Sequence, residues 1–360
     1  MLELKSILIL RFDHIGDVLL LTSMLKALRQ NCSRAKITVA LGSWSKMALD
    51  ENPDVDEIIV FDHPRFNREK RPSFFNGLVA SLRFLAIIRR HRFDAIIDPR
   101  SNLCTLLFVY LGGAKYRIGF DHGGRGFYLT TKAKENPKIH QIDRNLYLLE
   151  MMGFPRAKER KPTFFISHED VQWARGLFLY HDMNNALVVH PSAPWPPRRW
   201  PVGRFAEIIG WYIENFKSHV VLIGAQEDMA ISRQTKQMVS KDLQDHVVDM
   251  TGKTTLKQTA AVIKLSRIYL GVDSAPMHLA VAVGTPVIAL MGPGEYPRFA
   301  PYGENNVTIR TRMKCSPCHQ DRDYKSMRCF HGSSACMKQI ETQEVKSQIA
   351  KILHSNSVRF

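Results

Sequence analysis

With 360 residues, 45% hydrophobic and 23% charged, the chain has ordinary globular composition and material for two domains that each bury a core, which sets aside an intrinsically disordered polymer. Fifty Lys and Arg against 34 Asp and Glu give a formal charge of +16, spread over both halves, which points to anionic partners: nucleic acid, a membrane surface or a phosphorylated substrate. No sequence-specific nucleic-acid motif accompanies the charge, Met1 to Lys5 do not open a signal peptide and no apolar run approaches a membrane span, so a cytosolic protein with at most a peripheral membrane contact is expected.

Ile7 to Leu10 is a buried strand, and Arg11 to Asp17 forms a loop that leads into a helix over Val18–Gln30. One glycine, Gly16, stands where a dinucleotide fingerprint needs three, so a cofactor pyrophosphate is not expected here. Asp17 is either an N-terminal helix charge favoured by the dipole or a carboxylate free for chemistry, with Asp13 its neighbour and rival. Strands at Lys36–Gly42, Glu57–Asp62 and Phe93–Asp98, with a helix over Trp44–Asn52, continue a parallel α/β pattern. His63 to Pro72 is basic, and the amphipathic stretch after it ends in Arg89, Arg90, His91 and Arg92. Arg65, Arg68, Lys70 and Arg71 follow a strand's carboxyl end, where a ligand would sit. Arginine forks there suit phosphate or carboxylate, and Arg100 and Arg125 are further candidates for the same anionic ligand.

A helix over His140–Met152 and a charged linker to Lys161 close a first domain of residues 1–184, which keeps the helix following Ile166. A second domain, 185–340, opens with the strand Ala186–His190, a proline-rich loop and a helix over Val202–Phe216. Trp200-Pro201 reads as a packing corner. After the strand His219–Gly224, Glu227 stands where a carboxylate accepts ribose hydroxyls in nucleotide sites. Thr251 to Thr255 has the end of a phosphate loop without its first glycine, which sets aside an NTPase. Ile268 to Pro293 reads as strand, acidic turn, helix, strand. Asp273 or Ser274 caps the helix, Pro276 suits its first turn and Gly284 ends it. That turn is either an ordinary cap or a diphosphate site with Asp273 on sugar hydroxyls, and His278 one turn on, with the small residues of the helix, favours the second. Cys315, Cys318, Cys329 and Cys336 form C-x2-C-x10-C-x6-C, either four reduced thiols or a structural zinc site. Residues 341–360 form a terminal helix.

The stretch GVDSAPMHLAVAVGTP, residues 271–286, resembles the donor-site signature of glycosyltransferase family nine, the bacterial lipopolysaccharide heptosyltransferases. Three more segments are similar to that family: the Gly16-Asp17 turn, the loop from His190 to Pro201, and Thr251 to Thr255. Together they span Ile7 to about Cys336. The resemblance implies an α/β protein of two Rossmann-like domains facing a central cleft, the GT-B fold, with the terminal helix crossing back toward the first domain. It implies an inverting, metal-independent enzyme that transfers heptose from ADP-heptose to the lipopolysaccharide inner core. On it, Asp17 is the general base, and Ser192, Ala193 and Arg198, which replaces the family's usual Lys, meet the donor diphosphate. Lys253 or Thr254 lies near the adenine, and Asp273, Ser274, Ala275, Pro276 and His278 hold the rest of the donor. The acceptor faces Asp13, Arg65, Arg68, Arg71, Arg100 and Arg125. A monomer at the cytosolic face of the inner membrane is expected, with no specific nucleic-acid partner. Two other readings keep the same residues: the same fold with another nucleotide sugar, and a non-catalytic anion- or nucleic-acid-binding protein.

Overall fold

The computed structural model describes residues 3–63, 66, 74–318, 329, 331 and 334–356. Two compact units divide the chain, Met1–Phe165 and Ile166–Phe360. In the first, β1 (Ser6–Leu10), α1 (Ile15–Asn31), β2 (Lys36–Leu41), β3 (Glu57–Val60), α2 (Phe74–His91), β4 (Ala95–Asp98), α3 (Leu103–Leu111), β5 (Tyr116–Phe120), β6 (Thr131–Ala133) and α4 (Gln141–Met151) follow one another. The second holds α5 (His168–Tyr180), β7 (Leu187–His190), α6 (Val202–Phe216), β8 (Val220–Leu222), α7 (Met229–Met238), β9 (Val247–Asp249), α8 (Leu256–Leu265), β10 (Ile268–Val272), α9 (Ala275–Val283), β11 (Val287–Leu290), β12 (Val307–Ile309), α10 (Ala335–Lys338) and α11 (Thr342–Asn356).

Each unit builds a parallel sheet, ordered β3-β2-β1-β4-β5-β6 in the first and β12-β11-β10-β7-β8-β9 in the second among the described residues. Counted within its own unit, each is the doubly wound order 3-2-1-4-5-6, so both are Rossmann-like. The reason lies in the strands. β1, β4, β7, β10 and β11 are short runs of Ile, Leu, Val and Ala buried on both faces, which only helices on either side can cover. In such a sheet the strand order reverses at one place, and the loops leaving the two strands there diverge to open a crevice at their carboxyl ends. Here those places lie between β1 and β4 and between β7 and β10.

Several details depart from the sequence reading. α5 packs against α8, with Ala174 buried, so it falls in the second unit rather than the first and the division comes at 165/166, not 184/185. α11 lies against α6, β11 and β12 of the second unit, where a crossing to the first was expected. Residues Ser43–Ala48 form a 3-10 turn in place of a longer helix.

Candidate active site

In the first unit the β1/β4 switch point gathers charge. β1 is extended by the Arg11 N–H, which donates to Ala40 O at 2.8 Å, and this draws the Arg11 side chain inside, 4% exposed. Its guanidinium meets two carboxylates, Asp13 Oδ2 at 3.2 Å from Nε and Asp17 Oδ1 at 3.0 Å from Nη2. Burial alone would lower the Arg11 pKa, but Asp13, Asp17 and Asp98 outweigh it and raise it. α1 starts earlier than expected. His14 is its N-cap, so Asp17 is the third residue of the helix and its Oδ2 accepts from the His14 N–H at 3.4 Å, one half of a capping box. Asp17 thus has one oxygen on a buried guanidinium and the other over the helix start, and its carboxylate stays partly solvent-exposed.

From β4 comes the other wall. Asp98 is fully buried, and burial pushes its carboxyl above the usual range. Arg100 follows, its N–H on Asp98 Oδ1 at 3.0 Å and its guanidinium on Asp13 Oδ1, with the Phe66 ring 5.9 Å away. Ser101, at φ +52°, holds this turn by accepting from the Phe120 N–H and donating to Asp98 O, each at 2.7 Å. Arg11 therefore joins Asp13 and Asp17, and Arg100 joins the cluster through Asp13. Arg125 does not join them; it sits exposed on a separate 3-10 turn, Arg125–Tyr128. Arg65, Arg68 and Arg71 lie outside the described residues.

The second unit's switch point joins three strand ends. His190, 2% exposed at the end of β7, reaches Asp228 Oδ2 from Nε2 at 3.3 Å and Ser274 Oγ from Nδ1 at 3.1 Å. Asp228 closes the turn after β8, and Ser274 starts the helix after β10. Burial would raise the Asp228 carboxyl, yet the bond and charge of His190, with Ser192 and the Ala225 N–H, pull it down to about 2. Ser274 caps α9 by backbone conformation, with no side-chain cap bond, and its hydroxyl is spent on His190 and Val272 O instead. Asp273 beside it is 4% exposed, and its Oδ2 lies 3.4 Å from Arg198 Nη1, which also donates to Asp273 O at 3.3 Å. The backbone of Gly294 presses on the same carboxylate, since a Cβ there would stand 2.2 Å from Oδ2. Arg198 comes from the 3-10 turn Pro196–Arg198, 5.8 Å over the Trp195 ring, and Arg199 ties that loop down through Ala193 O at 2.7 Å.

The structure thus brings Ser192, Ala193, Arg198, Asp273, Ser274, Ala275 and Pro276 to the carboxyl ends of neighbouring strands, with His278 buried one turn into α9. The unpaired N–H groups and partial positive charge of the α9 start, with Arg198 beside them, can hold an anion. Glu227 is exposed on the turn after β8, while its neighbour Asp228 turns inward; Thr254 shares a hydrogen bond with Thr259 at 2.7 Å at the start of α8. Trp200 is the expected packing corner, buried with its Nε1 donating to Ile340 O at 3.1 Å. His190, Asp228 and Arg11 were not singled out from the sequence. The usable signal was that each is a polar residue at or just beyond the end of a buried strand. Cys315, Cys318, Cys329 and Cys336 line one cavity with His331, Trp195 and Pro197. Burial and the neighbouring thiols raise Cys318, and raise Cys336 to about 11. Among the described residues no three His, Cys, Asp or Glu side chains are gathered closely enough to hold a metal ion, so a zinc would have to draw these thiols together.

The family model of glycosyltransferase family 9 (heptosyltransferase) matches residues 81–327. Lipopolysaccharide heptosyltransferase 3 of Escherichia coli (strain K12) is 25% identical over 296 residues, covering 81% of this chain and 83% of that one. Among solved structures, a glycosyl transferase family 9 protein from Veillonella parvula superposes with a TM-score of 0.78 at 21% identity, covering 98% of this chain and 99% of the other. The E. coli ADP-heptose lps heptosyltransferase II gives 0.77 at 19% identity with the same coverage.

Proposed function

The chain belongs to glycosyltransferase family 9, the heptosyltransferases, and from that premise we propose that it transfers a heptosyl group from ADP-heptose to the inner core of lipopolysaccharide, with inversion and without a divalent metal. Membership makes it a glycosyltransferase rather than a passive anion binder. The observation that carries the finer reading is the cluster at the start of α9, where Arg198, Asp273 and Ser274 converge on one helix N-terminus. A departing nucleoside diphosphate gains negative charge in the transition state, and a guanidinium with fixed backbone dipoles stabilises it there most strongly. In this scheme the acceptor oxygen forms its bond to the anomeric carbon as the bond to the phosphate oxygen breaks. The hydroxyl proton passes to the Asp17 carboxylate, and ADP leaves toward Arg198 and α9. Asp273 accepts from sugar hydroxyls, Glu227 from the ribose, and Thr254 lies by the adenine. Arg100 is assigned to the phosphates and carboxylates of the acceptor, which Asp13 helps to seat, and Arg125, Arg65, Arg68 and Arg71 are assigned to the same ligand by their charge alone.

ADP-heptose as the donor is supported by the family's description as heptosyltransferases, and a structural relative of the same fold is described as an ADP-heptose enzyme. An inner-core glycolipid acceptor puts the protein at the cytosolic face of the inner membrane. No helix among the described residues is long and apolar enough to cross a membrane, so contact there would be peripheral. A panel of nucleotide sugars tested for protection against thermal unfolding decides the donor. ADP-heptose should raise the melting temperature more than ADP, UDP-hexoses or GDP-hexoses, and the increment should fall in Arg198→Ala. Stronger protection by a UDP- or GDP-sugar would replace the donor and leave the fold assignment untouched.

A further inference from the structure

On the first unit, exposed apolar side chains are concentrated on three adjoining elements. α2 presents Leu78, Val79, Leu82 and Ile87, α3 presents Leu103, Leu107, Tyr110 and Leu111, and the 3-10 turn Arg125–Tyr128 presents Phe127. Leu82 is 58% exposed, Tyr110 50% and Phe127 70%, so these are uncovered surfaces rather than rims of the core. Leu78 and Leu82 of α2, at i, i+4, share a helix face, as do Leu103, Leu107 and Tyr110 of α3 at i, i+4, i+7, while Phe84 and Ile88 of α2 and Leu106 and Val109 of α3 are buried in the core. The three elements are joined side by side. Arg89 Nε of α2 donates to Leu111 O at the end of α3 at 2.9 Å, and Tyr110 of α3 meets Tyr128 of the turn edge-on at 5.5 Å. With Phe84 of α2 and Phe108 of α3 packed ring against ring at 5.0 Å beneath them, three neighbouring elements each carry exposed apolar side chains, more than scattered surface leucines would give.

We propose that this face docks the enzyme on an anionic lipid bilayer, with the apolar side chains entering the headgroup boundary and the arginines around them binding lipid phosphates. The proposal rests on the reading of the acceptor as a glycolipid. Charge selects the occupant. The three elements carry Arg83, Arg89, Arg90 and Arg125 and not one Asp or Glu. A second copy of the chain would bring arginines against arginines, whereas a sheet of anionic headgroups neutralises them and accepts leucine and aromatic side chains below the phosphate plane. Neither helix needs to unfold or lengthen, because both already expose the apolar stripe and bury the opposite one.

The test is sedimentation of the full chain with phosphatidylcholine vesicles, with and without phosphatidylglycerol. The wild type should pellet with the anionic vesicles, and more weakly as salt is raised. Leu82→Glu with Leu107→Glu, or Phe127→Asp, should weaken binding roughly tenfold or more, and Arg83→Glu with Arg90→Glu should remove most of the salt dependence. All these positions are exposed, and thermal melting checks that the variants stay folded. The proposal is overturned if the wild type ignores anionic vesicles at low salt, or if the apolar variants bind as tightly as the wild type. It is equally overturned if ultracentrifugation finds a dimer that Leu107→Glu dissociates. Transfer to a detached, water-soluble acceptor is measured alongside. Its loss in the wild type, with vesicle binding intact, would count against the glycosyl-transfer scheme and leave the docking face standing.

Discussion

Arg11 is the residue on which the first unit's charge cluster depends, and Arg11→Met is its sharpest test. The guanidinium is 4% exposed and faces carboxylates at 3.0 and 3.2 Å. At an effective dielectric constant of about 20 each contact is worth about 5 kcal/mol before desolvation is charged against it. Removing one member of a buried ion pair costs about 3–5 kcal/mol, because the partner charges remain in place without their counterion. The variant should therefore lose about that much stability in the first unit. The loss should depend on pH with a definite sign. Asp98 is already held above the ordinary carboxylate range by burial, and without Arg11 it rises further. A carboxyl raised in the folded state costs its full stability above the folded pKa, and the cost is gone only below the unfolded value, so the defect should be largest at neutral pH and shrink steadily as the solution is acidified. Hydrogen exchange of peptides from β1 and α1 across a urea series measures this locally without assuming that both units unfold together. Arg11→Lys keeps the charge but not the two-pronged reach and should recover only part of the loss. A change below about 1 kcal/mol in Arg11→Met, or one that grows as pH falls, would refute the reasoning.

Gly294→Ala puts a methyl where Asp273 Oδ2 now lies, 2.2 Å from the new Cβ; the carboxylate must swing away, and donor affinity measured by calorimetry should weaken about tenfold with the fold intact. Asp228→Asn should cost about 1–2 kcal/mol at neutral pH. The wild-type carboxyl sits at about 2, below its ordinary 3.8, so this contribution is complete above about pH 4 and vanishes as pH falls toward 2; thermal melts of both proteins should converge in acid. With the leaving diphosphate assigned to Arg198 and backbone N–H groups, transfer should survive prolonged EDTA treatment, and activity restored only by Mg²⁺ or Mn²⁺ would remove that assignment.

Much of the fold can be read from the chain because its central strands are unusually plain. SILIL, LVVH, IYLGV and VIAL are apolar on both faces, and strands of that kind have few homes other than a parallel sheet between helix layers. The family resemblance rests on the turns that follow such strands, above all residues 271–286, and the family match over residues 81–327 bears it out. The periphery was harder. LCTLLFVYL is apolar almost throughout, so its exposed stripe, and with it α3, is invisible to a pattern that expects polar residues on the outer face. α5 looks like a linker helix of the first unit until its contact with α8 is seen. Near the site, periodicity cannot tell Glu227 from Asp228, because a short 3-10 turn decides which carboxylate turns inward to His190. Arg11 was hidden for a different reason. A lone Arg at a strand end looks solvent-facing until the backbone bond to Ala40 shows that the strand has not yet ended.

The most direct measurement is transfer itself. The purified protein is incubated with ADP-heptose and lipopolysaccharide truncated at the inner core, and the product is read by mass spectrometry beside the Asp17→Asn variant. The account predicts that the wild type adds one heptosyl unit. Asp17→Asn should lose about 100- to 10,000-fold in kcat while its donor affinity stays near that of the wild type, as expected for loss of a general base. Absence of heptose from every inner-core acceptor, or undiminished turnover by Asp17→Asn, would contradict it.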